Sequence, residues 1–323
     1  MKIIDFHCDT ISQIYDLRSK GEAINLKENK LHLDIEKMKK SDYMLQVFAS
    51  YIDLGHNKYP LETCLNHIDL LYREIEKNKD DIGIVYSYDD IIKNQKNNKM
   101  SALLSIEEGG ACKGDLALLR NFYRLGVRMM TLTWNYENEL SFPNGHFYDE
   151  KSKKRRGLKE KGFEFINEME RLGMIIYVSH LSDDGIYDVY NNTKNPFIAS
   201  HSNARSICSH QRNLTDDMIK KIGERGGIIG VNFFSCFLKN EAKLNDISMI
   251  EDIVNHMKYI ANVGGIDTVA IGSDFDGIDC PLEFENSSNM QLIYHEMKKS
   301  GFSENEIEKV FYKNALRLFK EVL

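Results

Sequence analysis

The sequence predicts a (β/α)8 TIM barrel formed by one α/β domain over residues 1–323. Three observations carry this. Short β-branched apolar runs alternate with amphipathic helical stretches along the whole chain, and no composition break, linker or internal repeat divides it. The ends of several runs also carry carboxylate or imidazole side chains. Unbroken strand–helix alternation builds a parallel sheet, closed or doubly wound. A length of 323 residues suits a barrel of about 250 residues with insertions.

Nine runs have the length and bounding turn signals of strands: Ile3-Ile4, Met44–Ala49, Ile82–Tyr86, Ala102–Ile106, Val127–Leu132, Met174–Val178, Pro196–Ala199, Ile228–Phe234 and Thr268–Ile271. Eight strands close the barrel, and Ile82–Tyr86 is expected outside the ring. Helical periodicity marks Leu61–Lys77, Asp115–Leu125, Leu158–Leu172, Thr215–Arg225 and Met249–Val263. Gly126 and Gly173 follow helical Arg-Leu pairs as left-handed caps. Ser303 and Glu306 form a capping box that opens a closing helix with apolar Ile307, Val310, Phe311, Leu316 and Phe319.

With 42 Lys+Arg against 49 Asp+Glu the formal net charge is -7. An acidic surface disfavours nucleic-acid and anionic-membrane binding, which both need cationic patches. The basic run Lys151–Arg156, continued by Lys159 and Lys161, is read as a solvated loop. Six scattered cysteines without CxxC pairs read as reduced core thiols. The opening Asp5-Phe6-His7 interrupts any signal-peptide core, no run is long enough to span a membrane, and the charged tail suits no anchor. The expected location is cytoplasmic, without a membrane anchor.

Chemistry collects at strand ends. His7 and Asp9, in His7-Cys8-Asp9, share one face of the first strand with Cys8 on the other. Further strands end in Glu107-Glu108, His180, His201, and Asp274 with Asp276. In a barrel these ends converge on one face, so distant residues share a pocket. His67, His256 and His295 lie in helical patterns and His32, His56, His146 and His210 in polar loops, where ordinary structural roles suffice. The set His7, Asp9, one glutamate, His180 and His201 looks like a two-metal hydrolase site. Nitrogen and oxygen donors without thiolate suit zinc, and accommodate manganese or cobalt. The run Met129–Trp134 contains no lysine to bridge two cations, which leaves the role to a glutamate. Alternation groups Glu108 with Leu104 and Ile106, and Gly109-Gly110 follow it; Glu108 is therefore preferred over Glu107.

These motifs, in this order, resemble the membrane (renal) dipeptidase family of zinc peptidases, peptidase family M19, among the amidohydrolase-like, metallo-dependent hydrolase barrels. The resemblance runs nearly end to end: the opening HxD, Glu108-Gly-Gly, Thr131-Leu-Thr133, Arg171-Leu-Gly-Met174 and Ser179-His180. It continues through Ser200-His-Ser202, Arg212-Asn213, Val231-Asn-Phe233, Gly272-Ser-Asp-Phe-Asp-Gly277 and Asn314-Ala-Leu-Arg317. It implies that His7 and Asp9 bind one zinc, His180 and His201 a second, and Glu108 bridges them. It also implies that Asp274 stands beside the bridging hydroxide and that Arg212 holds the substrate's terminal carboxylate. Animal members carry a histidine where this chain has Trp134, a departure that bears on substrate range and rate. The expected activity is hydrolysis of free dipeptides with two divalent ions, and the family favours a homodimer. Another binuclear amidohydrolase and a non-catalytic barrel are the alternatives.

Overall fold

A computed structural model of the chain describes residues 1–144 and 155–323. Much of the basic run Lys151–Arg156, and His146, lie outside the described residues. The strands are β1 (Ile3–Cys8), β2 (Tyr43–Tyr51), β3 (Ile82–Ile84), β4 (Met100–Glu107), β5 (Val127–Thr131), β6 (Ile175–Tyr177), β7 (Ile229–Val231) and β8 (Val269–Ile271). They form one parallel sheet in the order β6-β5-β4-β2-β1-β8-β7, with β3 paired to the start of β4, off the main path as the sequence suggests. Between β6 and β7 runs the segment around Ile198-Ala199. Val178 and Ile198 donate to Ile198 and Ile176 carbonyls at 2.8 and 3.0 Å, and Ala199 and Gly230 donate to Ile228 and Ala199 carbonyls at 3.0 and 2.8 Å. These bonds complete the eight-membered ring.

Side chains from alternate strand positions separate into two cores. Ile4, Phe6, Leu45, Val47, Leu103, Met129, Tyr177 and Ile198 fill the barrel, while Ile3, Phe48, Leu104 and Ile106 pack outward against the helices. Phe319 of the last helix stacks on Phe6 at 5.4 Å and joins the inner cluster. Burying each such ring stabilises by about 1.5–3 kcal/mol. The last helix is cemented by Asn314, whose amide donates to the Ile266 and Val269 carbonyls at 2.8 Å each.

Local rules hold at the helix ends. Gly173 adopts φ 73° after the helix Glu160–Leu172, so the chain reverses directly into β6. Ser303 and Glu306 exchange both bonds of the capping box. All six cysteines are free thiols, five of them buried.

Candidate active site

The barrel brings four predicted ligands together with one carboxylate. Glu107 ends β4 on the face of Leu103, toward the barrel interior. Its Oε1 lies 3.1 Å from His180 Nε2 and 3.3 Å from His201 Nε2, and its Oε2 lies 3.2 Å from His7 Nε2. His180 and His201 approach each other at 3.0 Å through Nε2. Asp9 Oδ2 and Asp274 Oδ1 flank His7 Nε2 at 3.6 and 3.8 Å. One carboxylate thus divides its two oxygens between the His7 side and the His180–His201 side.

Contrary to the expectation from alternation, Glu107 and not Glu108 joins this cluster. Leu104 and Ile106, the partners of Glu108 in alternation, face the helix layer. The strand ends at Glu107, and Glu108 leaves it with φ 142°. Its carboxylate accepts from Gly110 N at 2.6 Å, Asn138 Nδ2 at 2.5 Å and Trp134 N at 2.9 Å.

The far sides of two of the three imidazoles are fixed. His180 Nδ1 meets Asn135 Oδ1 at 3.0 Å and His201 Nδ1 meets Ser200 Oγ at 2.8 Å, so both Nε2 atoms turn inward. Asp274 adopts φ 63° and its Oδ2 accepts from Asn232 Nδ2 at 2.8 Å, leaving Oδ1 toward His7. Asp276 braces the same loop by accepting from Thr10 Oγ1 and His32 N, each at 2.6 Å. At Gly277 a Cβ would come within 2.1 Å of Asp9 Oδ2 and 2.6 Å of Asp274 Oδ1; this backbone approach requires glycine.

The buried carboxylates and imidazoles shift one another's proton affinities. Burial, with repulsion from Glu107, lifts Asp9 to about 6. Burial, only partly offset by His7 and reinforced by Asp9 and Glu107, lifts Asp274 to about 8. Burial works against ionised Glu107, yet the His7 charge and the three imidazole contacts hold it well below the usual carboxylate range. Burial and the Arg212 charge press His180 down to about 4, keeping that imidazole neutral and able to ligate. Among the described residues His7 Nδ1 and Asp9 Oδ1 are buried without a hydrogen-bond partner. Overlapping triads, His7–Asp9–Glu107, Glu107–His180–His201 and His7–His201–Asp274, each hold their donor atoms within 4.8 Å. Such a donor set fits divalent cations.

Arg212 reaches the cluster's edge, with Nη2 2.9 Å from His180 Nε2 and Cζ 5.3 Å from the Phe237 ring. It is buried, and among the described residues its Nη1 has no acceptor. A buried unpaired donor on a cation is costly, and an anionic ligand would satisfy it. Above lies a cavity of about 570 Å³, lined by Asp9, Glu107, His180, His201 and Asp274 of the cluster and by Arg212, Tyr51, Trp134, Phe234 and Phe237. The sequence assigns Asn135 and Asn138 no role, because isolated asparagines in a loop carry no spacing signal, and it holds Asn232 only as part of the Val231-Asn-Phe233 motif.

Comparison with known proteins agrees with this architecture. The family model for membrane dipeptidase, peptidase family M19, matches residues 1–323. An uncharacterized dipeptidase of Schizosaccharomyces pombe (strain 972) is 33% identical over 341 residues, covering 99% of this chain and 80% of the relative. A metallopeptidase from Rhodobacter sphaeroides, crystallised with a phosphinate mimic of the dipeptide L-Ala-D-Ala, superposes with a TM-score of 0.90 at 22% identity, over 100% of this chain and 99% of that one. A solved dipeptidase of family M19 gives a TM-score of 0.91 at 24% identity, over 100% and 98% of the two chains. With a family match over its whole length, this chain belongs to the membrane dipeptidase family, peptidase family M19.

Proposed function

We propose that the protein is a metallodipeptidase that uses two divalent ions, zinc by preference, to hydrolyse free dipeptides. His7 and Asp9 would hold one ion, His180 and His201 the other, and Glu107 both. The observation that carries this is the division of the Glu107 oxygens between two imidazole groups. Family membership supports the reaction class, and the L-Ala-D-Ala mimic held by the Rhodobacter relative supports a substrate of this size. Ions bound there supply Lewis acidity, lowering the pKa of water and polarising the amide carbonyl.

The chain's own residues do the rest. Asp274 Oδ1, oriented because Asn232 holds Oδ2, takes the proton of the attacking water and returns it to the leaving amine. Arg212 pairs with the terminal carboxylate, its stacking against Phe237 fixing the fork. Trp134 and Tyr51 exclude water on the other side of the cavity.

Among the described residues no helix is long and apolar enough to cross a membrane. The free thiols fit a reducing compartment and support a cytoplasmic location; a homodimer belongs to the same reading. The test is a dipeptide panel assayed on chelator-stripped protein before and after zinc is restored. Activity is expected to vanish and return, with close to two ions per chain; full activity after verified metal removal would overturn the reading.

A further inference from the structure

The cavity mouth is aromatic on two opposed arcs. Around the ring, β2, β4 and β5 are neighbours, and β7 lies across from β4. Tyr51 ends β2 and Trp134 follows β5; their rings meet edge to face at 4.9 Å and 72°, and Trp134 lies 6.0 Å from the His180 ring. Phe237, which follows β7, carries Arg212 on its ring. This inference rests on the dipeptidase reading: a substrate whose carboxylate meets Arg212 on the β7 side, with its amide over Glu107, directs its N-terminal residue to the Tyr51–Trp134 arc.

We propose that Trp134, set against Tyr51, is the wall that selects apolar and aromatic side chains at the N-terminal residue of the dipeptide, and that Glu108 is the positioning residue that holds this wall.

Trp134 is only half-buried, which leaves indole surface free to contact a ligand. Offset or edge contacts between aromatic groups add to the benefit of burying apolar area. Glu108 explains why the wall stands where it does. Its fully buried carboxylate accepts from the Trp134 backbone and from Asn138. Asn138 in turn donates to the Leu132 carbonyl at 2.7 Å and accepts from Leu140 N at 2.8 Å, closing the 132–140 loop on itself. The φ of 142° at Glu108 is strained for a residue with a Cβ, and persists because these bonds over-determine it. A buried carboxylate and a strained backbone are thus committed to one loop that presents a half-buried indole.

The experiment compares Gly-Ala, Leu-Ala and Phe-Ala on the metal-loaded enzyme. Wild type is expected to favour Phe-Ala over Gly-Ala in kcat/KM, and Trp134→Ala to lower that ratio roughly tenfold or more. Trp134→Phe should keep most of the preference. Glu108→Gln should move the ratio in the same direction, chiefly through KM for Phe-Ala, with two ions retained. Trp134 is the chain's single tryptophan, so wild-type emission reports the wall without any variant: free phenylalanine should shift it and glycine should not. An unchanged ratio in Trp134→Ala, or emission indifferent to phenylalanine, overturns the wall while dipeptide hydrolysis stands. An unchanged ratio in Glu108→Gln overturns its positioning role. Failure of the metal-loaded wild type on every dipeptide overturns this proposal together with the dipeptidase reading.

Discussion

Replacing Glu107 by glutamine separates the two adjacent carboxylates more sharply than any other change. Glutamine keeps one oxygen, which can serve either the His7 side or the His180–His201 side, now 3.2 Å and 3.1–3.3 Å from the two carboxylate oxygens. The amide NH2 confronts whichever side is left. Removing one member of a buried charged set typically costs about 3–5 kcal/mol. At about 1.4 kcal/mol per decade this is roughly two to nearly four powers of ten in metal affinity. Glu108→Gln, by contrast, exchanges one acceptor of a hydrogen-bond set for a donor facing N–H groups, costing about 1–3 kcal/mol of folding stability. The assay is metal content per chain after equilibration in metal-buffered solution, with urea unfolding on the same samples. Glu107→Gln should lose metal and Glu108→Gln should lose stability. The reasoning is refuted if Glu107→Gln retains two ions at wild-type affinity, or if Glu108→Gln is the variant that empties.

Arg212→Met should lower kcat/KM for free dipeptides roughly ten- to a hundredfold, from a charge-assisted pair of about 1.5–3 kcal/mol, with metal content unchanged. Wild type should discriminate against dipeptide amides and the variant should not; a wild type that cleaves amide and acid equally fast would remove the carboxylate-recognition role. Acid sensitivity should come partly from two histidines outside the site, His67 and His256, each pressed down to about 4 by burial. His256 Nδ1 accepts from Ala204 N at 3.0 Å, so the folded state excludes a proton there that the unfolded chain binds below about 6.5. Their stabilising contribution is therefore whole above about pH 6.5 and lost as pH falls toward 4, by up to about 3 kcal/mol each. Urea unfolding against pH should show this slope, and His67→Gln should flatten it by one share; an unaltered slope would reject the assignment.

Much of this was legible in the chain. All nine apolar runs take part in the sheet or bridge it, since β-branched segments bounded by turns have few other ways to be buried. His7, Asp9, His180 and His201 could be grouped in the sequence because strand ends converge in a barrel, whatever the details of register, and the structure brings their side chains together. The choice between Glu107 and Glu108 failed for a physical reason. Strands of a parallel barrel are apolar on both faces, so Leu103 and Leu104 look alike in sequence although one fills the barrel and the other meets the helices. Alternation gave the phase but not which phase points inward. The small Ser105, on the same face as Glu107, was the available clue. The asparagines that hold His180 and Asp274 were illegible because each meets that side chain through one contact fixed only by the tertiary fold.

The ring closure between β6 and β7 has a mechanical consequence. Those flanking strands are three residues each, and the intervening segment joins them through isolated bridges, whereas β2 and β4 pair along seven positions. The barrel therefore has a thin seam, and His180 and His201 emerge on its two sides. An ion shared by these imidazoles would rivet the seam, tying two segments whose own backbone pairing is sparse. The site then serves the scaffold as well as the substrate: amide hydrogens near Ile176, Ile198 and Gly230 become the natural gauge of occupancy, exchanging slowly in the loaded enzyme and sooner than those of β2 and β4 once it is stripped.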